Sequence, residues 1–216
     1  MSQIVLDIGS GNTLTDEATA IKLVDEVIAR DTHIHDVVFK TQLFQAAPPN
    51  KPLDHDVFRK LFNHCYKKGY HLTSSVFDMD SLSFLLIFDW QDWRLPFIKI
   101  ACRPDKYWLI GEIPRRIPVY YSIDARWDIA DFPELPDECN ATELECIPMY
   151  PADSDDYRGE EGILLNKVSD HTIGWGMYQS AGDVKIWEKH ICLERSPDNP
   201  DSGPFAVTPE DLGGIL

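Results

Sequence analysis

Eight short apolar segments recur along the chain, and helical or irregular segments separate them. They are rich in β-branched and aromatic residues, and they cover residues 4–9, 36–43, 70–77, 97–102, 118–122 and 142–149 before two further segments that end near His171 and His190. Segments of this kind predict β-strands. Because strands that alternate with helices run parallel within one sheet, we predict a (β/α)8 barrel rather than an open doubly wound sheet.

The outer ring of this barrel is predicted to be incomplete. The chain has 216 residues, or 216/8 = 27 per unit, which is short for a fold of ~250 residues. Helical periodicity predicts helices over 16–28, 57–68 and 78–88, a weak one over 104–113, and N-caps at Thr15 and at Asp78 or Asp80. Residues 124–141 predict a loop, residues 157–165 a helical turn or two, and little chain follows Pro209.

We therefore predict a compact TIM barrel with one or two outer helices reduced or missing. No repeat, linker or low-complexity tract divides the chain, so residues 1–216 are expected to form a single domain. An incomplete ring would leave apolar barrel wall exposed, which predicts a homo-oligomer.

Composition excludes several classes of partner. The formal net charge of −16 makes nucleic acid a poor partner, since binding to a phosphate backbone needs basic surface. No apolar run approaches the ~20 residues that a membrane span requires. The five cysteines are odd in number and form no Cys-x-x-Cys pair, and no signal peptide is evident. Reduced thiols in a soluble, cytoplasmic protein are therefore expected.

His171 and His190 are candidate metal ligands. Each follows a predicted strand, and a short helical segment connects the two strands. Parallel neighbours bring their carboxyl ends to the same edge, so both imidazoles would lie within reach of one metal ion. The spacing does not choose among the transition metals. Two packed or solvated histidines are the alternative interpretation.

Polar residues stand at the other strand ends, and their order carries a family resemblance. The series comprises Asp7, Lys40-Thr41-Gln42, Ser75, Lys99, Ser122, Tyr150, Ser169-Asp170-His171-Thr172, Glu188-Lys189-His190 and Pro200-Asp201. It resembles the catalytic barrel of the sialic acid synthase family, which makes N-acetylneuraminate, legionaminate and pseudaminate. The most specific parts are Ser-Asp-His-Thr, Glu-Lys-His and the downstream Pro-Asp. The resemblance covers nearly the whole chain.

The resemblance implies a reaction and its cofactor. The family condenses phosphoenolpyruvate with the open-chain aldehyde of an N-acetylated sugar, giving a 2-keto acid and phosphate. It implies a divalent metal, usually manganese, held by His171 and His190. In this chemistry the metal acts as a Lewis acid on the aldehyde oxygen.

Roles for individual residues follow from the same resemblance. Lys40 and Lys99 would balance the phosphate and carboxylate of phosphoenolpyruvate, and Ser75, Ser122 and Ser169 would contact it. Asp7 (in place of the family's Glu), Gln42, Tyr150 and Asp201 match sugar-binding positions, and Glu188 matches a carboxylate beside the metal. We predict Lys40, Lys99, Glu188 and Asp7 as catalytic residues. Serines that only cap helices, an Asp7 that only accepts turn amides and a Tyr150 that only packs at the rim are the alternatives.

The fourth strand departs from the family. Where relatives carry Gly-Ser-Gly-Glu or a close variant, this chain has Ala101-Cys102-Arg103-Pro104. Proline cannot replace the glutamate as an acid or base, whereas Arg103 adds a cation that suits phosphate binding but not proton abstraction. Arg103 is therefore a predicted substrate-binding residue. The first turn is shorter, Pro148 replaces Asn or Ser, and the C-terminal antifreeze-like domain of the family is not expected here.

Three functions remain open from the sequence. The first is a compact synthase that condenses phosphoenolpyruvate with an N-acetylated sugar or a smaller aldehyde. The second is a metal-dependent aldolase or lyase in which Asp124, Glu145 or Glu188 transfers the proton. The third is a non-catalytic barrel that binds a metal, an anion or a sugar as a subunit of an assembly. The lysines and histidines favour the first two, and the lost glutamate favours the third.

Overall fold

The chain folds into a closed barrel of eight parallel strands that follow one another in sequence order. This computed structural model describes residues 2–46, 48, 50–89, 94–127, 134–136, 139–157, 166–180, 184–213 and 215–216. The strands are β1 (Gln3–Gly9), β2 (Asp36–Leu43), β3 (His71–Val76), β4 (Ile98–Ile100), β5 (Val119–Asp124), β6 (Ala141–Cys146), β7 (Lys167–Asp170) and β8 (Ile186–His190). Pairing of β1 with β8, which sets Asp7 opposite His190, closes the sheet. The predicted (β/α)8 barrel is confirmed.

Three full helices cover the first part of the barrel wall. They are α1 (Glu17–Ile28), α2 (His55–Lys67) and α3 (Met79–Leu86). Each begins after an aspartate, Asp16, Asp54 or Asp78, whose carboxylate accepts backbone N–H groups of the first turn. The predicted N-cap at Thr15 was therefore wrong by one residue. The N-cap is Asp16, whose carboxylate accepts a hydrogen bond from the amide of Thr19. Gly69 ends α2 with φ of 84°, a left-handed conformation that glycine adopts without strain.

The remaining outer elements are reduced, as predicted. The weak helix expected over residues 104–113 is a 3-10 helix, Pro104–Glu112, and the crossover between β7 and β8 carries only the short helix α4 (Gly176–Ser180). Two further 3-10 helices are Ser154–Tyr157 and Pro209–Leu212. Most of the loop predicted over 124–141, and the part of 157–165 after Tyr157, lie outside the described residues.

Two predicted strands end earlier than expected. The fourth strand was predicted over 97–102 and the sixth over 142–149, but β4 ends at Ile100 and β6 at Cys146. The backbone turns sharply after each of these two strands. After β4 the amide of Arg103 donates to the carbonyl of Ala101 over 2.7 Å, and after β6 the amide of Met149 donates to the carbonyl of Ile147 over 2.8 Å. The backbone groups that would extend each ladder are used by these turns, so the strands cannot continue.

The described residues form three buried hydrophobic clusters, and the one inside the barrel forms the floor of the site. The main cluster fills the space between the outer face of the strands and the helices. A second cluster of Val5, Val38 and Phe97 plugs the barrel interior, with Tyr120 stacked on Phe97 at a centroid distance of 4.1 Å. Inward-facing residues two positions further along the strands therefore lie above an apolar plug, at the carboxyl ends of the strands.

Among the described helices, none is long and apolar enough to cross a membrane. Some large apolar side chains are exposed, including Trp108 at 53% and Ile87 at 59%. Self-association over the reduced outer ring stays a prediction, and so does a single domain over residues 1–216.

Candidate active site

The carboxyl ends of the strands surround a cavity of about 380 Å³. Alternation of side chains along each strand turns one set of polar residues inward onto it. All predicted site residues except Asp201 line this cavity: Asp7, Lys40, Gln42, Ser75, Lys99, Arg103, Ser122, Tyr150, Ser169, His171, Glu188 and His190. The structure therefore brings together residues that are spread over the entire chain. Their chemical roles stay predictions.

Lys40 is held in a buried ion pair. Its ammonium group lies 2.6 Å from Asp7 Oδ2, 3.3 Å from Glu188 Oε1 and 2.8 Å from the hydroxyl of Ser75. Burial by itself lowers the pKa of Lys40, but the two carboxylates outweigh burial and raise it. Burial likewise raises the pKa of Asp7, yet Lys40 and His190 outweigh it and the pKa falls to about 2. Both groups are therefore charged at neutral pH.

Lys99 is compensated less completely than Lys40. Its ammonium group is 3.7 Å from Glu188 Oε2 and donates to Ser122 Oγ over 2.5 Å and to the Ile100 carbonyl over 3.3 Å. Burial and the nearby charge of Lys40 lower the pKa of Lys99, although Glu188 opposes them. An anion that entered the cavity would supply the missing compensation.

Glu188 lies between the two lysines. Burial raises the pKa of its carboxyl group, but Lys40 and Lys99 outweigh burial and lower it. The hydroxyl of Ser169 donates to Oε1 over 3.2 Å, whereas Oε2 is buried without a hydrogen-bond donor among the described residues. The inner cavity thus holds two ammonium groups and two carboxylates, and one carboxylate oxygen remains available.

The two histidines face each other at the mouth, with ring centroids 5.8 Å apart. His171 Nδ1 donates to the carbonyl of Ile147 over 2.7 Å, so the lone pair is on Nε2, which lies 3.4 Å from the hydroxyl of Ser169. Burial, reinforced by His190, lowers the pKa of His171 to about 3, so its imidazole is neutral. His190 Nδ1 is buried and has no hydrogen-bond partner within the described parts of the chain, and its Nε2 is 3.6 Å from Asp7 Oδ2.

These features fit two nitrogen ligands of a divalent metal. A neutral imidazole whose second nitrogen is fixed by a carbonyl is the usual arrangement of a metal-binding histidine. The described residues contain no group of three or more His, Cys, Asp or Glu side chains placed to hold a metal ion. Water or substrate would therefore have to supply the remaining positions. The predicted metal site stays a prediction.

Tyr157 is a buried residue that sequence reasoning missed. Its hydroxyl donates to the carbonyl of Ser169 over 2.9 Å and accepts the amides of Ile147 over 3.2 Å and His171 over 3.1 Å. It thereby ties the end of β6 to the end of β7 and positions His171. No sequence signal marks it, because a tyrosine in an acidic turn has no recognisable pattern.

Cys102 and Cys146 also line the inner cavity and were not predicted as site residues. A signal for them did exist. Both stand at or just beyond strand ends, as do the lysines and histidines. Their number and spacing had been considered only as evidence on disulfides.

A second cavity of about 490 Å³ lies outside the first. The residues that line both cavities are Gln42, Asn50, Phe77, Arg103, Tyr150 and His190. The wall of the second cavity includes the aromatic pair Phe44 and Phe77, with ring centroids 6.0 Å apart, and the ammonium-bearing Lys106. The guanidinium of Arg103 contacts Asp105 through Nε at 3.0 Å and Nη2 at 3.2 Å. This second cavity, here called the vestibule, borders the inner cavity through these shared residues.

Asp201 lines the vestibule rather than the inner cavity. Its Oδ2 accepts the amide of Ser10 over 2.7 Å and the hydroxyl of Ser10 over 2.5 Å. A Cβ on Gly9 would lie only 2.9 Å from this carboxylate, so the turn after β1 requires glycine there. Asp201 therefore fastens the first turn, and its predicted sugar contact stays a prediction.

Two of the three carboxylates considered for proton transfer do not reach the cavity. Glu145 is adjacent in sequence to the inward-facing Cys146 and so lies on the opposite face of β6. Asp124 is held by the guanidinium of Arg126 at 2.6 Å and 2.8 Å. Neither lines the cavities described above. Of these three carboxylates, Glu188 is the one that lines the inner cavity, and the assignment of the proton-transfer group stays a prediction.

The fold and the cavity define the class of protein: a parallel β/α barrel with a buried, charged site at the carboxyl ends of its strands. A wider depression of about 860 Å³ follows α1 from Asp16 to Arg30, and no predicted site residue lines it. The site at the strand ends is therefore the functional candidate.

Comparison with known proteins gives relatives of the fold. No protein-family model and no curated protein sequence matches the chain. Among solved structures, the N-acetylneuraminic acid synthetase of Leptospira borgpetersenii, in complex with citrate, has a TM-score of 0.70 at 17% identity, covering 98% of this chain and 80% of that one. A spore coat polysaccharide biosynthesis protein E of Chromobacterium violaceum has a TM-score of 0.66 at 17% identity, with coverage of 99% and 72%.

A third structure widens the comparison beyond one family. The phospho-2-dehydro-3-deoxyheptonate aldolase (DAHP synthase) of Thermotoga maritima has a TM-score of 0.63 at 11% identity, covering 97% of this chain and 65% of that one. At these identities the likenesses show a shared barrel fold.

Proposed function

We propose that this protein is a synthase that condenses phosphoenolpyruvate with an aldehyde. The observation that carries the proposal is the buried set of Lys40, Lys99, Asp7 and Glu188 beside two facing histidines at the barrel mouth. Buried lysines are expensive without a function or a full set of partners. The named synthases among the structural neighbours support the same reaction class.

In the proposed reaction, the enol carbon of phosphoenolpyruvate bonds to the aldehyde carbon, water adds at the adjacent carbon, and phosphate leaves. Lys99, whose positive charge is the less compensated, binds the anionic groups of phosphoenolpyruvate together with Ser122. Lys40 is already paired with Asp7 and orients the ligand mainly through Ser75. Glu188 Oε2 accepts a hydrogen bond or a proton from the attacking water.

His171 and His190 are the residues that would hold a divalent metal, with manganese as the proposed ion. Bound there, the metal would polarise the aldehyde oxygen as a Lewis acid. Tyr150 packs on His171 with ring centroids 4.1 Å apart and covers this end of the cavity against water. The vestibule beyond Tyr150 accommodates the acceptor, an N-acetylated sugar or a smaller aldehyde.

The test measures phosphate release and bound metal on the same preparation. Purified protein is analysed for metal and then supplied with phosphoenolpyruvate, millimolar manganese and a panel of N-acetylated hexosamines and smaller aldehydes. Release that depends on one acceptor, and disappears in His190→Ala and Lys99→Met, supports the synthase. His71→Ala is the matched control, because this exposed histidine begins β3 at the opposite end of the barrel. Absence of bound metal at millimolar manganese would refute the proposal.

A non-catalytic, anion-binding barrel is the second candidate. The observation that favours it is Arg103, which borders both cavities and precedes a proline instead of an acid. In that case the protein would bind phosphoenolpyruvate or phosphate, and metal, without turnover of any acceptor. A metal-dependent aldolase with Glu188 as the base would instead act without releasing phosphate. Cytoplasmic location and self-association belong to the proposal as further expectations.

A further inference from the structure

Two thiols from non-adjacent strands meet at the wall of the inner cavity. Cys146 is the last residue of β6 and is fully buried, and Cys102 lies two residues beyond β4 and is partly exposed. Strand β5 separates β4 from β6. Both side chains nevertheless line the cavity that holds Lys99, and each thiol affects the pKa of the other. The other cysteines, Cys65, Cys139 and Cys192, do not line this cavity.

The two thiols differ in their environment. The neighbouring Cys146 thiol lowers the pKa of Cys102 against the effect of burial, and the charge of Lys99 adds to this. The neighbouring Cys102, together with burial, raises the pKa of the Cys146 thiol. Cys102 is thus the accessible and more nucleophilic sulfur, whereas Cys146 is the buried sulfur that keeps its proton. A partly exposed, reactive thiol near a second thiol is the arrangement of redox-active cysteines.

We propose that Cys102 and Cys146 form a reversible redox site at the barrel mouth, in which a peroxide oxidises Cys102 and Cys146 completes a disulfide. The sulfur of Cys102 attacks the peroxide O–O bond, which forms a sulfenic acid and releases one water. The sulfur of Cys146 then displaces the hydroxyl group, which leaves with the Cys146 proton as a second water. The two thiols lose two electrons in total, and these reduce one hydrogen peroxide to two waters.

The backbone allows this closure from one side. A disulfide bond is about 2 Å long, so the two sulfurs must approach more closely than unbonded thiols do. Cys146 is fixed in the β6 ladder, opposite Asp124 on one side and Ser169 on the other. Cys102 lies outside any ladder, in the turn where the amide of Arg103 bonds to the Ala101 carbonyl. The Cys102 turn is therefore the part that moves.

Closure would alter the passage between the two cavities. Arg103 follows Cys102 directly and borders both cavities, so a shift of this turn towards β6 moves its guanidinium across the mouth. The disulfide also replaces the Cys102 thiol near Lys99, which can ionise, with a group that stays neutral. Oxidation would therefore abolish phosphoenolpyruvate turnover, an expectation that rests on the proposed function.

The experiment is disulfide mapping on the full chain. Reduced protein is treated with one equivalent of hydrogen peroxide, alkylated with N-ethylmaleimide, and analysed by intact mass and by non-reducing peptide mapping. We expect two thiols to become unreactive and one cross-linked peptide pair, Cys102 with Cys146, which dithiothreitol separates. In Cys146→Ser, a dimedone adduct should accumulate on Cys102, and Cys102→Ser should form neither product. The matched control is Cys139→Ser, a partly exposed cysteine outside the cavity, which should behave like the parent.

The peptide map of the unaltered protein decides the matter even if a variant fails to fold. A disulfide that involves Cys139, or oxidation of Cys102 no faster than that of Cys139, would overturn the proposal; we expect Cys102 to react at least ~10-fold faster. A protein that forms the bridge but never turns over phosphoenolpyruvate supports the redox site and refutes the proposed function. Turnover of phosphoenolpyruvate without formation of the disulfide would support the proposed function and refute the redox site.

Discussion

The ammonium group of Lys40 lies 2.6 Å from the carboxylate of Asp7, and neither side chain is more than 2% exposed. The two residues are opposite each other in the parallel pairing of β1 and β2. The pair is therefore formed within the barrel wall and does not depend on a ligand. Lys99 has no equally close carboxylate, which makes it the lysine with capacity for an incoming anion.

Breaking the Lys40–Asp7 pair from one side should be more damaging than removing both charges. Lys40→Met leaves a buried carboxylate without its main partner and should lower the free energy of unfolding by about 3–5 kcal/mol. Adding Asp7→Asn removes that unpaired charge, so the double variant should be more stable than the sum of the single changes predicts. Urea denaturation of the four proteins measures this coupling. Strict additivity would show that the two charges do not stabilise each other.

Asp7 should also make stability depend on pH in acid. Its pKa is about 2 in the fold against 3.8 for the unperturbed group. Because the unfolded chain binds the proton more readily, the contribution of Asp7 is complete above pH 3.8 and is lost as the pH falls towards 2. The loss amounts to roughly 2 kcal/mol.

Denaturation of metal-free protein between pH 5 and pH 2 tests this effect. Asp7→Asn should show a smaller decline than the parent protein over that interval. The exposed Asp198→Asn serves as the control and should decline as the parent does. Identical pH profiles for Asp7→Asn and the parent would contradict the expected contribution.

Removing the hydroxyl of Tyr157 should affect both stability and metal binding. Tyr157→Phe leaves the amides of Ile147 and His171 without their acceptor and should cost about 2–4 kcal/mol. Since the hydroxyl also positions His171, metal affinity should fall by about 10–100-fold. Manganese titration followed by calorimetry measures the second effect.

Tyr120→Phe provides the matched control for Tyr157. Its hydroxyl donates to Gln3 Oε1 over 2.9 Å near the amino ends of the strands, below the apolar plug. This variant should leave manganese affinity unchanged. An equal loss of affinity in both variants would mean that Tyr157 acts only through general stability.

The buried pair Lys189 and Asp170 should be structural. Lys189 Nζ lies 3.1 Å from Asp170 Oδ2 and donates to the Thr172 carbonyl over 2.6 Å, and both side chains are fully buried on the outer face of β8 and β7. Lys189→Met should lower the free energy of unfolding by about 3–5 kcal/mol, because it leaves the buried Asp170 carboxylate without its cationic partner. Chemical denaturation should show a change within about 0.5 kcal/mol for the exposed Lys185→Met. Equal effects of the two variants would rule out the structural role.

The barrel was predictable because its signal is local. An apolar, β-branched run of residues indicates each strand, and the parallel order follows from the crossovers between strands. The helix caps were nearly as local, and the error of one residue at Thr15 arose because two adjacent residues both suit an N-cap. The early ends of β4 and β6 were not predictable, because apolar residues continue past both turns.

Most residues that line the inner cavity were predictable by the same rule, and the contacts among them were not. Alternation along the strands indicates that Lys40, Lys99 and Glu188 share one end of the barrel. It does not show that Lys40 is already paired with Asp7, or that Cys102 and Cys146, on either side of β5, line the same cavity. Those contacts depend on strand stagger and on turns whose geometry is not written in a local pattern.

The amino-acid sequence by itself determined the strands, their parallel order and most of the polar side chains at their carboxyl ends. Only the closed tertiary structure decided which of those side chains touch. Ser10 and Asp201, for example, are 191 residues apart and share a buried hydrogen bond over 2.5 Å. The physical reason is that a strand's period of two is a local property of the backbone, whereas contacts across a barrel form only when the last strand pairs with the first.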